Sequence, residues 1–388
     1  MSACIVGWSH LPFGKHDTET VESLIVRATR EALEHAQIAA GDVDEVVLGH
    51  FNAGFSAQDF TASLVFQADD GFRFKPATRV ENACATGSAA VHQGIRAIEA
   101  KRAKTVLVVG VEQMTRTSGP EIGKNLLKAS YLPEDGETPG GFAGVFGKIA
   151  DLYFQRHGDQ SDALAMIAAK NHRNGMGNPY AQMRKDLGYE FCRAVSDKNP
   201  YVAGPLKRTD CSLVSDGAAA IVLMDRDAAA TMPRAVGFRS TAHVQDFLPM
   251  SKRDIIRFEG CAEAWSQALG QAGLSLDDLS FVETHDCFTV AELIEYEAMG
   301  LTPAGKGAMA IKEGWTQPGG RLPVNPSGGL KAKGHPIGAT GVSMHVLSAM
   351  QLCGEAGDIQ VRDPVLGGIF NMGGAAVANY VSILERVR

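Results

Sequence analysis

The chain carries Asn82-Ala83-Cys84-Ala85-Thr86-Gly87 and, far downstream, Gly334-His335-Pro336-Ile337-Gly338-Ala339-Thr340-Gly341. Each stretch reads as a glycine-containing turn opening a helix, and each contains Ala-Thr-Gly ahead of an apolar run. The repetition predicts an internally duplicated chain with a cysteine on one half and a histidine on the other. Duplication of this kind brings the two residue types together across a pseudo-twofold axis. A thiol is a poor nucleophile until ionised, and a helix N-terminus and an imidazole both favour the thiolate. The pairing therefore points to nucleophilic catalysis.

Periodicity extends the duplication outward from these turns. Val21, Leu24, Ile25, Ala28, Ala32 and Leu33 follow helical spacing, and Val43 to Leu48 reads as a short buried strand. Val91, Ile95 and Ile98 continue a helix beyond Cys84, and Thr105 to Val109 is a β-branched strand ending at Gly110. The second half repeats the order, with a helix over Glu259 to Ala272, a strand over Leu279 to Val282, a helix through Val342, Val346 and Met350, and a last strand pair. Asp216-Gly217-Ala218-Ala219-Ala220 before Ile221-Val222-Leu223 also matches Gly373-Gly374-Ala375-Ala376-Val377 before Val381 to Leu384. Two stacked α/β halves follow. A long segment separates the last two strands of the first half, whereas a tight turn near Asn371 to Gly374 serves the second. The expected division is residues 1–114 with 205–230, an inserted loop domain over 115–204, and residues 231–388. Lys124, Lys128, Lys148, Arg156, Arg173, Arg184 and Lys185 make the insertion a candidate lid over an anionic ligand.

With 388 residues and 45% hydrophobic content, the chain can bury a large core. A net charge of -7 excludes a nucleic-acid surface, which needs a face-wide excess of cations. No basic leader precedes an apolar stretch, and no run approaches the ~20 apolar residues of a membrane span. Cys4, Cys84, Cys192, Cys211, Cys261, Cys287 and Cys353 are odd in number and contain no Cys-x-x-Cys pair. Such usage suits free thiols in a reducing compartment, without a disulfide framework or a zinc site. The final Glu385-Arg386-Val387-Arg388 is not a peroxisomal address, so the cytoplasm is the expected location. No Walker loop and no GxGxxG after a first strand occurs, so neither ATP nor NAD has support, and no metal is expected.

Four loops taken in order resemble the thiolase superfamily, specifically the branch like the thiolase domain of sterol carrier protein 2. They are Asn82 to Ser88, His285-Asp286-Cys287-Phe288, Asn325-Pro326-Ser327-Gly328-Gly329 running into Gly334 to Gly341, and Asn371-Met372-Gly373-Gly374. Lys170 to Asn174 and Asn178 to Gln182 in the insertion also look like this branch. The resemblance implies duplicated βαβαβαββ halves in a layered αβαβα arrangement with an inserted loop domain. It implies an acyl-CoA C-acyltransferase that cleaves 3-ketoacyl-CoA with coenzyme A, or runs the reverse Claisen condensation, through an S-acyl Cys84. Coenzyme A would be substrate and product, with no resident cofactor.

By the same resemblance, Cys84 is the nucleophile, and its N–H with that of Gly373 forms an oxyanion hole. His335 would polarise the Cys84 thiol and donate to a thioester oxygen, and His285 would stabilise the enolate of acetyl-CoA. Ordinary thiolases place a second catalytic cysteine where this chain has Asn371. In the sterol-carrier-like branch the Cys of the His-Asp-Cys-Phe loop replaces it, so the acid/base role passes to Cys287. A two-residue period in an extended segment would put His285 and Cys287 on one side and Asp286 on the other. Asn325, Ser327 and the glycines after them are expected to shape their loop. The partners implied are coenzyme A thioesters, a second copy in a homodimer or homotetramer, and, as for some members of the branch, a small OB-fold protein. Two other readings stand beside this one. The Cys, His, His trio also resembles decarboxylating ketoacyl synthases or a C-acyltransferase with another acceptor, and the absent last-loop Cys suits a subunit that binds acyl-CoA or lipid without turning it over.

Overall fold

The computed structural model describes residues 3–388. The first half begins with β1 (Ala3–His10), α1 (Val21–Ala36), β2 (Glu45–Gly49), β3 (Ala77–Val80), α2 (Thr86–Glu99) and β4 (Thr105–Gln113). The chain then leaves the sheet through α3 (Gly119–Leu127), α4 (Leu132–Asp135), α5 (Phe142–His157), α6 (Ser161–Gly175), α7 (Gly188–Arg193) and the hairpin of β5 (Tyr201–Ala203) and β6 (Leu206–Lys207). It returns as β7 (Asp216–Asp225) and α8 (Arg226–Ala229). The second half comprises β8 (Val236–Gln245), α9 (Glu259–Ala272), β9 (Phe281–Glu283), α10 (Thr289–Ala298), α11 (Gly307–Lys312), α12 (Gly329–Lys333), α13 (Ile337–Cys353), β10 (Leu366–Gly373) and β11 (Ala378–Arg386).

The strands form one nine-stranded sheet in the order β3-β2-β4-β7-β1-β8-β11-β10-β9. Read outward from the β1/β8 seam, the first half runs β1-β7-β4-β2-β3 and the second β8-β11-β10-β9. The counterpart of β3 is reduced to a single parallel bridge, Val282 to Val324. Each half is mixed in the same way, with parallel pairing at its outer strands and antiparallel pairing near the seam. The seam itself is short, pairing Cys4 with Gly237 and Ile5 with Val236.

The halves are joined mainly through a central helical layer. α13 packs against β4 and β7 of one half and β10 and β11 of the other, and it lies against α2. Consistent with this position, α13 is buried nearly all round, including polar Thr340, Ser343, His345 and Ser348. α1 covers the outer face of the first half and α9 that of the second, giving an α-β-α-β-α succession of layers. Where α2 meets α13, a Cβ on Gly87 would sit 2.6 Å from the Gly341 nitrogen, and one on Gly341 would sit 2.1 Å from the Ser88 nitrogen. Both Ala-Thr-Gly glycines therefore admit backbone-to-backbone contact at the axis relating the halves.

Two sequence expectations shift in detail. The last hairpin turns after Gly373, so Asn371 and Gly373 lie on β10, opposite Tyr380 and Ala378, instead of in the turn. Residues 284–287 carry no strand; β9 ends at Glu283, and the segment bends to enter α10.

Candidate active site

The nucleophile turn joins β3 to α2. Ala83 adopts φ 49°, a left-handed conformation uncommon for a residue with a side chain. The turn is held by Asn82 N–H donating to Thr86 Oγ1 (2.8 Å), by Ala85 N–H donating to Asn82 O (3.1 Å), and by Asn82 Nδ2 donating to the Tyr380 hydroxyl (2.8 Å). Gly373 presses on this turn so closely that a Cβ there would lie 2.4 Å from Asn82 O. Cys84 is thus fixed just before α2, buried to 3% exposure.

His335 stands between Gly334, at φ +112°, and Pro336, which caps α13. Its backbone N–H donates to Ser215 Oγ at 3.0 Å. On the ring, Nδ1 lies 2.7 Å from Thr340 Oγ1, whose own proton goes to Pro336 O at 3.0 Å. The Thr340 oxygen must then accept, so the His335 proton is on Nδ1 and Nε2 presents a lone pair. That Nε2 is buried and has no other partner.

His285 carries the opposite tautomer. Asn371 places one amide atom 3.2 Å from Cys84 O and 2.9 Å from His285 Nδ1. A carbonyl oxygen only accepts, so that atom is Nδ2, and His285 Nδ1 must accept its second proton. The His285 proton is left on Nε2, which is also buried and unpartnered. The two rings meet edge to face with centroids 5.1 Å apart. Cys84, His285 and His335 each offer one ligand atom, and the three atoms lie within 4.8 Å of one another. The site thus combines a thiol, a base nitrogen and a donor N–H. The fixing of the His285 tautomer by Asn371 and of the His335 tautomer by Thr340 left no signal in the sequence.

Cys84, Cys287 and His335 line a cavity of about 420 Å³. Its walls are mostly apolar, with Met114, Leu126, Phe142 and Phe288 among them, and exposed Val202, Arg208 and Val214 also line it. Cys287 faces this space; His285, fully buried, reaches the site from behind and is not part of the cavity lining. Asp286 faces α12, as expected of a structural residue, accepting from the N–H groups of Leu330 (2.6 Å) and Lys331 (3.1 Å) and from Asn171 Nδ2 (2.7 Å). Asn325 accepts from Thr284 N–H at 2.8 Å, and Ser327 Oγ donates to Glu283 at 2.7 Å, so both shape the loops behind His285. The cations of the insertion are mostly engaged elsewhere. Lys148 pairs with Asp135, Arg156 with Asp254 and Arg173 with Asp186. The cation on the cavity wall is Arg208, which lies beyond the expected lid.

Burial dominates the electrostatics. It pushes the Cys84 thiol up to about 12, and the amides of Gly374 and Cys84 offset this only in part. Burial lowers His335 to about 3, helped by Lys333, and holds His285 well below the usual imidazole value, helped by His335 and Lys333. Cys287 is raised well above an ordinary thiol by burial, then by Cys84, Glu295 and Asp286. At neutral pH the site rests as two thiols and two neutral imidazoles, not as the thiolate that a helix terminus alone would favour. In His335→Ala, where no ring nitrogen can assist, labelling of Cys84 by iodoacetamide, followed by peptide mass spectrometry, should therefore accelerate about tenfold per pH unit from pH 7 to 9. A plateau below pH 8 would reveal a preformed thiolate and contradict this balance.

Comparison with known proteins adds independent observations. Residues 3–187 match the family model described as "Thiolase, N-terminal domain", and residues 242–386 match "Thiolase C-terminal domain-like". The chain is 34% identical to an acetyl-CoA acetyltransferase of Methanothermobacter thermautotrophicus, over 98% of this chain and 99% of that protein. It is 31% identical to sterol carrier protein 2 of Oryctolagus cuniculus, over 94% of this chain and 68% of that protein. Among solved structures, "Ltp2-ChsH2(DUF35) aldolase" superposes with a TM-score of 0.81 at 20% identity, covering 100% of this chain and 98% of that one; at that identity the likeness speaks to the fold. Among the described residues no helix is long and apolar enough to cross a membrane.

Proposed function

The chain belongs to the thiolase family, and from that premise we propose how its residues carry out acyl-CoA C-acyl transfer. The observation that carries the assignment of roles is the pair of opposite imidazole tautomers around Cys84.

In thiolysis, His335 Nε2 takes the Cys84 proton and the sulfur attacks the 3-keto carbonyl of a 3-ketoacyl-CoA. The N–H groups of Cys84 and Gly373 hold the oxyanion, in a loop where the Gly374 amide also favours negative charge on Cys84. As the C2–C3 bond breaks, the acyl group stays on Cys84, and the departing acetyl-CoA enolate is met by His285 Nε2–H and the protonated His335. Cys287 gives its proton to C2, and acetyl-CoA leaves. Incoming coenzyme A returns a proton to Cys287 and attacks the S-acyl group; Cys84 departs and recovers its proton from His335. Condensation is the same sequence reversed. Each proton taken is given back within one cycle, so no resident cofactor is required.

The same reading takes coenzyme A thioesters as substrates and the cytoplasm as location. It includes a homodimer or homotetramer, for which the outer edge of β3 beside exposed Phe60 and Phe74 offers a surface. A small partner is also included, as in the aldolase complex of similar fold. A one-chain sedimentation mass would remove the oligomer.

The direct test is mass spectrometry after incubation with acetyl-CoA or acetoacetyl-CoA. An acyl adduct on the Cys84 peptide is expected, lost in Cys84→Ala together with turnover. An unmodified Cys84, or normal turnover in the variant, would refute the assignment.

A further inference from the structure

Cys84, His285 and His335 are the one group of His, Cys, Asp and Glu side chains among the described residues placed to converge on a common ion. All three are buried, and the free nitrogens are the Nε2 atoms of both imidazoles. Zinc bonds of roughly 2.3 Å to sulfur and 2.0 Å to nitrogen place tetrahedral ligand atoms about 3.3 to 3.5 Å apart. Ligand atoms already within 4.8 Å need contract by little more than roughly 1 Å, a side-chain adjustment. The donor set is also selective. One thiolate and two imidazoles suit zinc and similar borderline cations, whereas magnesium and calcium require oxygen ligands. The cavity beside Cys84 leaves a fourth position open to water.

The atoms behind the ligands fit unequally. A ligating imidazole normally donates its other N–H to an acceptor. His335 already does so toward Thr340. His285 does not, because Asn371 donates to its Nδ1. Rotating the Asn371 amide would turn Oδ1 toward Nδ1, allowing the His285 proton to move from Nε2 to Nδ1. Asn371 Oδ1 has no partner at present, and it and the equally unpartnered Ser88 Oγ both border the space over Gly341. The rotation gives up the bond from Asn371 Nδ2 to Cys84 O. One proton leaves overall: Cys84 releases it to solvent, His335 contributes an existing lone pair, and His285 keeps its proton.

We propose that Cys84, His285 and His335 form a reversible binding site for Zn2+, and that the bound ion blocks acyl transfer by occupying the nucleophile and both imidazoles. Binding rests on the geometry alone; the block rests on the function proposed above.

The test titrates the whole purified protein with Zn2+, and separately with Co2+, in a non-chelating buffer. One ion per chain, one proton released per ion, and a sulfur-to-cobalt charge-transfer band are expected. Zinc should suppress iodoacetamide labelling of Cys84, and EDTA should restore it. His285→Ala should weaken binding at least about tenfold, and Asn371→Asp should tighten it about tenfold, because the introduced carboxylate accepts from Nδ1. Asn371→Asp should also lower turnover, since His285 Nε2 loses its proton; a variant that merely misfolds cannot bind zinc more tightly. Zinc binding unchanged in Cys84→Ala, a cobalt spectrum without sulfur ligation, or Asn371→Asp binding no tighter than the parent would overturn the proposal. These readouts follow the metal and the thiol, so they remain interpretable if Cys84 proves not to carry acyl groups.

Discussion

His335→Ala is expected to slow acylation of Cys84 at pH 7 by about two to four orders of magnitude, the usual range for a lost general base. Thr340 holds the ring so that Nε2 is a lone pair, and the thiol it serves is pushed up to about 12 by burial. Without that nitrogen, attack depends on the small fraction of spontaneously ionised thiol, roughly one molecule in 10⁵ at pH 7. That fraction grows tenfold per pH unit, so the deficit should narrow toward pH 9. Quenched single-turnover mass spectrometry at the two pH values measures both effects. A deficit independent of pH would mean that His335 acts only on the oxyanion.

Cys287→Ala should divide the reaction in two. In the proposed cycle, loading of Cys84 from acetyl-CoA calls on the second thiol only to protonate the leaving coenzyme A thiolate, which solvent at the open side of the cavity can also do, so loading should stay within a few-fold of the parent. Carbon–carbon bond formation or cleavage in the proposed cycle takes its proton from Cys287, and acetoacetyl-CoA turnover should fall by about 10² to 10⁴. The electrostatics agree with this division: burial, Cys84, Glu295 and Asp286 all hold Cys287 protonated, so it rests ready to give a proton to an enolate. Exchange of acetyl-CoA methyl protons in heavy water, catalysed by the parent and absent in the variant, is the corresponding assay. Undiminished turnover in the variant, with a malonyl thioester as the better donor, would instead assign the Cys, His, His trio to decarboxylative condensation.

The parts of the fold legible in sequence are those where pattern and packing coincide. The twin Ala-Thr-Gly segments are visible because the same requirement, close approach at the axis, acts on Gly87 and Gly341 alike. Glu259 to Ala272 was readable as a helix because α9 lies on the outer face of the second half. The third strand of the second half was not, since a single bridge at Val324 leaves no alternation to detect. Within the site, Cys84, His285, Cys287 and His335 could be picked out by the loops around them. Their proton positions could not, because these are set by Thr340 and Asn371 through contacts that exist only after folding. Asn371 shows this most clearly: in sequence it marks an absent cysteine, whereas in space it binds both the nucleophile's carbonyl and an imidazole. The carboxylates that Lys148, Arg156 and Arg173 of the insertion meet were invisible in sequence for a related reason, since Asp135, Asp254 and Asp186 reach them only in the folded chain.

The bare backbone contact between α2 and α13 has a consequence for traffic. With no cushion of side chains there to compress or slide, the two bodies have no inexpensive way to part and release what lies between them. Exposed Val202, Arg208 and Val214 mark where the cavity beside Cys84 meets solvent, and a thioester seated against Cys84 through that side stands in the way of a second. Strict turn-taking by the two substrates would then be imposed by architecture before any chemistry begins.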